Sequence, residues 1–157
     1  MRNTNTMSIT PPTSPAAMAL IENMIKQYGY PVLTEDNHDD FVSAQEECVL
    51  FFTENPARFP ESNDVAMILP ELAKEYGERF SAAVIDQSAQ RPLQGRYGFN
   101  EWPTLVFLRR GQYLGHISRV QDWMDYIVKI NQIVTSEPRL APGIGIPVSQ
   151  STSACGG

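Results

Sequence analysis

The chain has 157 residues, 42% of them hydrophobic, which is room for one domain with a substantial core, since domains run to about 100–200 residues. Its 18 acidic side chains outnumber 12 basic ones, and a field of formal net charge -6 repels phosphate backbones and anionic lipid, arguing against nucleic acid as a partner. No apolar stretch approaches the roughly 18–20 residues of a membrane span, and "MRNTNTMSITPPTSPAAM" has no continuous apolar region behind its early arginine, so a soluble, cytoplasmic protein without membrane insertion is expected.

Residues 1–15, with Asn, Thr, Ser and prolines, are expected to form a disordered N-terminal tail. The domain proper is expected over 16–135. It begins with "AAMALIENMIKQYG", where Met18, Ile21, Met24, Ile25 and Tyr28 recur at helical spacing and Gly29 is placed to end the helix. A short strand, "YPVLT", precedes "EDNHDDFVSAQEE", a second helix capped by Asp36 or Asn37 with acidic residues at the positive end of its dipole. "CVLFF" is too continuously apolar for a half-exposed strand and reads as central.

The polar loop "TENPARFPESND" leads to "VAMILPELAKEYGERF", a helix with Val65, Ile68, Leu69, Leu72 and Tyr76 in register and Pro70 inside it, where one backbone hydrogen bond is lost and a kink is expected. "FSAAVID" is the next buried strand and "SAQRPLQGRYGF" a short helix or irregular crossover. "TLVFLRR" and "QYLGHIS" form an antiparallel hairpin around Gly111. "VQDWMDYIVKINQIV" is a terminal helix with Trp123, Ile127, Ile130 and Val134 inward. Residues 136–157, rich in Pro, Gly and Ser, are expected to be a second disordered tail. The order β-α-β-α-β-α-β-β-α after an added helix predicts an α/β protein with a mixed sheet covered by helices.

Cys48 and Cys155 stand far apart in the sequence, and His38 and His116 are equally scattered, so no stretch has the clustered spacing of a zinc site; neither metal nor cofactor is expected. His38, inside "TEDNHDD", reads as a solvated helix-start residue, and His116 as a surface or half-buried strand residue. Cys48, at the start of a central strand, reads as a small buried hydrophobe.

A long helix with proline in "MILPELA", a strand ending in Asp86, a "YGF" segment, a Pro-Thr opening the next strand, a glycine turn and a terminal helix together resemble thioredoxin over about residues 30–135. The resemblance implies a three-layer α/β/α sandwich on a mixed four- to five-stranded sheet, with a cis bond at Trp102-Pro103 in a loop that helps bind extended polypeptide. X-Pro bonds are where cis peptides occur. It also implies that Ser62, Asn63, Asp64 and Val65 stand where thioredoxin carries C-x-x-C, and that Phe51 stands near its buried carboxylate. A serine there supplies no thiolate, so no catalysis is expected.

A narrower resemblance is carried by "VLFFTENPARFPESNDVAMILPELAKEY" and "GFNEWPTLVFLRRGQYLGHISRVQDWMDY", which are similar to the HyaE/HupG proteins of uptake nickel-iron hydrogenase operons. It implies a cytoplasmic chaperone that binds the twin-arginine signal peptide of the hydrogenase small-subunit precursor before export. Such a receptor pairs carboxylates with an apolar surface. Glu54, Glu61 and Asp64 flank the former redox position, and Phe59 and Trp102 beside Pro103 could supply the apolar contact; Glu61 and Asp64 equally suit helix capping, and Trp102 equally suits packing. Two other functions stay open at this point: a scaffold within a hydrogenase maturation complex, working with other maturation proteins, and a residual thiol oxidoreductase.

Overall fold

The structure, a computed structural model, describes residues 15–142. Expectations for residues 1–14 and 143–157, Cys155 among them, lie outside the described residues. The elements run α1 (Pro15–Tyr28), β1 (Val32–Leu33), α2 (His38–Ala44), β2 (Glu47–Phe52), α3 (Glu61–Glu75), β3 (Ser81–Ile85), a 3-10 turn (Gln87–Ala89), α4 (Gln90–Tyr97), β4 (Thr104–Arg109), β5 (Gln112–Ser118) and α5 (Trp123–Val134). They form one five-stranded sheet in the order β1-β3-β2-β4-β5. β1, β3 and β2 pair in parallel, while β2–β4 and β4–β5 are antiparallel, so the sheet is mixed as expected.

Alternation along the central strands divides the core into two layers, because successive strand side chains point to opposite faces. On one face Val49, Phe51, Val84, Leu105 and Phe107 pack under α1, α3 and α5; on the other Leu50, Phe52, Ile85, Val106 and Leu108 pack under α2 and α4. All six residues of β2 are buried, which is why that stretch reads as a continuous apolar run. Phe51 is fully buried in the first layer. Pro70 lies inside α3, which continues on both sides of it. Gly29 ends α1 in the left-handed conformation, φ 68°, that favours glycine.

Several side chains face differently from their sequence pattern. His38 is not solvated: it is buried, its Nε2 2.7 Å from the Tyr97 hydroxyl and its Nδ1 2.7 Å from Asp39 Oδ1. Its acidic neighbours hide the fact that this position of α2 faces the sheet, and burial pushes its pKa down. On α5 the inward row is Tyr126, Ile130 and Val134, one helical turn at a time, and Trp123 is left exposed at the first turn. Tyr28, at the end of α1, is also exposed.

Residues 136–142, whose composition suggests a tail, run back across the second layer. The Arg139 N–H donates to the Tyr113 carbonyl at 2.9 Å, and Ala141 is buried in that core. Ending the chain at Ser136 is therefore expected to lower the melting temperature by about 2–4 °C relative to ending it at Pro142, the shift corresponding to about 1 kcal/mol of lost packing and hydrogen bonding in a chain of this size. Equal melting temperatures by calorimetry would show that this segment adds nothing.

Candidate functional site

The Trp102-Pro103 peptide is cis, and it sets the strand-entry loop against the loop that follows β2. That second loop is fixed from beneath. Ser62 Oγ, fully buried, donates to the Thr53 carbonyl at 2.6 Å, and the buried Gln90 amide donates to Ile85 O at 2.7 Å while its oxygen accepts from the Glu54 N–H at 3.0 Å. These bonds hold Glu54 at φ 48°, a conformation unusual for a residue with a side chain. Ser62 is thus a structural tie, with its hydroxyl turned inward.

Between the two loops lies a cavity of about 560 Å3 lined by Arg58, Phe59, Pro60, Glu61, Arg91, Asn100, Glu101, Trp102 and Arg119. Of the residues singled out from the sequence, Phe59, Glu61 and Trp102 line it together. Pro103 is buried behind Trp102, Glu54 reaches the rim only through Arg91, and Asp64 is exposed on α3 away from the lining. Beside Ser62, Val65 belongs to the core, while Asn63 is half-buried with its Oδ1 left without a hydrogen-bond partner among the described residues.

Trp102 is only 6% exposed, because its ring packs against Phe99 at 5.0 Å, Phe52 at 6.3 Å and Phe59 at 6.4 Å between centroids. Its indole N–H is not fully buried and has no partner among the described residues, and no hydrogen bond among them uses its backbone N–H or C=O. The carboxylates, in contrast, are already engaged. Glu61 accepts from Arg119 Nε and Nη2 and from the Val120 N–H, with the Arg119 contact holding its pKa below the usual carboxylate range. Glu54 accepts from Arg91 at 3.0 Å, and Arg91 in turn lies 5.2 Å over the Trp102 ring. Sequence reasoning missed these arginines; Arg58 and Arg91 sit in the stretches "NPARFPE" and "SAQRPLQG", in or beside loops the fold resemblance brings near the proline.

Among the described residues no group of three or more His, Cys, Asp or Glu side chains is placed to hold a metal ion. Cys48 is buried in β2, and burial pushes its thiol up to about 12, so it presents no thiolate to this cavity at neutral pH. No helix among the described residues is long and apolar enough to cross a membrane.

Residues 20–126 match the family model described as hydrogenase-1 expression protein HyaE. The chain is 44% identical over 135 residues to the hydrogenase expression/formation protein HoxO of Azotobacter vinelandii, covering 82% of this chain and 90% of the relative. It is 34% identical to the HoxO protein of Cupriavidus necator, over 100% of this chain and 98% of that one. Among solved structures, a thioredoxin from Plasmodium falciparum superposes with a TM-score of 0.54 at 13% identity, covering 68% of this chain and 99% of that one, a likeness of fold alone.

Proposed function

We propose, from the premise that this chain belongs to the HyaE family of hydrogenase expression proteins, that it is a redox-inactive, thioredoxin-like chaperone acting in the cytoplasm. Its client would be the small-subunit precursor of a nickel-iron hydrogenase, bound through its twin-arginine signal peptide before export. The observation that carries this reading is the cavity at the cis proline, where the indole N–H and the backbone of Trp102 have no internal partners and Phe59 offers an apolar edge. An extended segment can satisfy such groups while burying its own apolar side chains.

The ion pairs shape how arginines of a guest would bind. Glu54 and Glu61 already hold Arg91 and Arg119, so a guest guanidinium exchanges with one of them and adds little net Coulomb energy. Asp64 has no ion pair among the described residues but lies outside the cavity lining. Apolar burial should therefore supply most of the affinity, and an aromatic anchor can be worth about 2 kcal/mol or more. In a titration with a peptide of paired arginines followed by an apolar segment, Phe59→Ala is expected to weaken binding about tenfold or more, and a Glu54→Gln/Glu61→Gln/Asp64→Asn variant by only a few-fold. Unchanged affinity in both variants would place the site elsewhere.

One observation favours the scaffold reading as an alternative. Trp123, Met124 and Val128 on α5 are each exposed and none lines the cis-proline cavity, which gives this helix apolar surface that suits a folded partner. Equal binding of the precursor and the signal-less small subunit would select the scaffold over the signal-peptide chaperone.

A further inference from the structure

A second cavity, of about 480 Å3, opens on the layer covered by α2 and α4, and its outer wall is the segment 138–141. Its floor is made by Tyr97 and Tyr113, whose rings stack with centroids 6.4 Å apart at 22°. Both phenol groups are already bonded inside the protein, Tyr97 to His38 Nε2 at 2.7 Å and Tyr113 to His116 Nδ1 at 2.6 Å. With both phenols engaged, the cationic groups that the lining offers a guest are the guanidiniums of Arg96 and Arg139.

These two differ in what they already hold. Arg96 donates to Asp39 Oδ1 at 2.7 Å. Arg139 lies 5.6 Å over the Tyr113 ring and has no carboxylate within 4 Å among the described residues. That is unusual for this chain, in which Arg79, Arg91, Arg96, Arg109, Arg110 and Arg119 all have an acidic partner. The only other arginine of the described residues without one is Arg58, at the cis-proline cavity.

The charge count of the lining selects the guest. Arg96 and Asp39 cancel, leaving about one positive charge on Arg139; His38, buried with a lowered pKa, stays neutral at pH 7. A monoanion matches that charge, whereas a phosphate dianion would keep one negative charge without a cation in the lining. Val42, Leu140 and Ala141 complete the walls with apolar surface, which calls for an organic body behind the anionic group. A planar carboxylate also suits the fork of a guanidinium.

We propose that this cavity binds a small organic monocarboxylate, anchored by Arg139, with its body against Val42, Leu140 and Ala141. The site is separate from the cis-proline cavity, and its test does not depend on signal-peptide binding. The full-length, 15N-labelled protein is titrated with sodium benzoate and, separately, with benzamide, which has the same shape without the charge.

Benzoate is expected to give saturable shifts at the amides of Gly111, Tyr113 and Arg139, with benzamide at least about tenfold weaker. Arg139→Gln should weaken benzoate by about tenfold, and Arg58→Gln, at the other cavity, should change it less than about twofold. The benzoate and benzamide comparison on the unmodified chain keeps the test valid if Arg139→Gln disturbs the 138–141 segment. Benzamide binding as tightly as benzoate, absence of saturable shifts at those amides, or loss of benzoate in Arg58→Gln with none in Arg139→Gln would each overturn the proposal.

Discussion

Trp102→Ala is expected to lower the unfolding free energy by about 3–5 kcal/mol, the range for removing a large aromatic side chain from a packed core. The ring is 6% exposed and touches Phe52, Phe59 and Phe99, so its removal leaves a void that these neighbours fill only in part. Denaturant unfolding should show the midpoint falling with the slope unchanged. A loss below about 1 kcal/mol would mean that the ring is not packed as described. The consequence for the proposed function is that lost peptide binding in Trp102→Ala cannot be assigned to a lost contact, because the loop that carries the proposed site is disturbed with it. Trp102→Phe is the informative change. It keeps most of the packed volume and removes an indole N–H that has no partner among the described residues, so stability should fall by only about 1 kcal/mol while peptide affinity drops several-fold.

The same residue illustrates what the sequence made legible. The proline-threonine at the mouth of an apolar run, the proline inside a long helix and the glycine hairpin are backbone constraints: Pro70 lies inside α3 and Gly111 between β4 and β5 as the pattern put them, and Trp102-Pro103 is cis as the resemblance to thioredoxin implied. The continuous apolar runs of β2 and β3 also marked them as buried strands inside the sheet, as all six buried positions of β2 bear out. Orientation at element ends was less legible. Trp123 begins α5 one turn ahead of the buried row Tyr126, Ile130 and Val134 and is exposed, so its apolar character does not report its direction. The carboxylates of Glu54 and Glu61 were legible as residues, but their ion pairs were not. Arg91 and Arg119, which neutralise Glu54 and Glu61, are distant in sequence and arrive through the crossover helix and the end of the hairpin. The same holds for Glu47, whose two arginine partners come from elsewhere in the chain.

Glu47 carries the second large effect. It opens β2 at the end of the sheet opposite the cis proline, 6% exposed, and in the β2–β4 register it stands directly across from Arg109. Arg109 Nε donates to its Oε2 at 3.0 Å, and Arg79, arriving just before β3, donates to both carboxylate oxygens. Arg109 also donates to the carbonyls of Val134 at 2.8 Å and Ser136 at 3.3 Å, so the carboxylate organises a cation that closes the C-terminal end of α5. Burial alone would raise the Glu47 pKa, but the two guanidinium groups more than offset it and hold it below the usual carboxylate range.

Glu47→Gln is therefore expected to cost about 3 kcal/mol at pH 7, towards the lower end of the range for breaking a buried ion pair because Arg79 is 44% exposed and recovers hydration. The sign of the pH dependence follows from the lowered pKa. The folded state binds the Glu47 proton less readily than the unfolded chain does, so the contribution is fully present above the unfolded pKa of about 4.3 and is lost as pH falls through the folded value. The stability gap between the parent protein and Glu47→Gln should thus be constant from about pH 7 down to about pH 5 and then narrow with further acid. A gap that stays the same width down to about pH 3 would show that the glutamate acts through its shape and hydrogen-bond count and that its charge is immaterial.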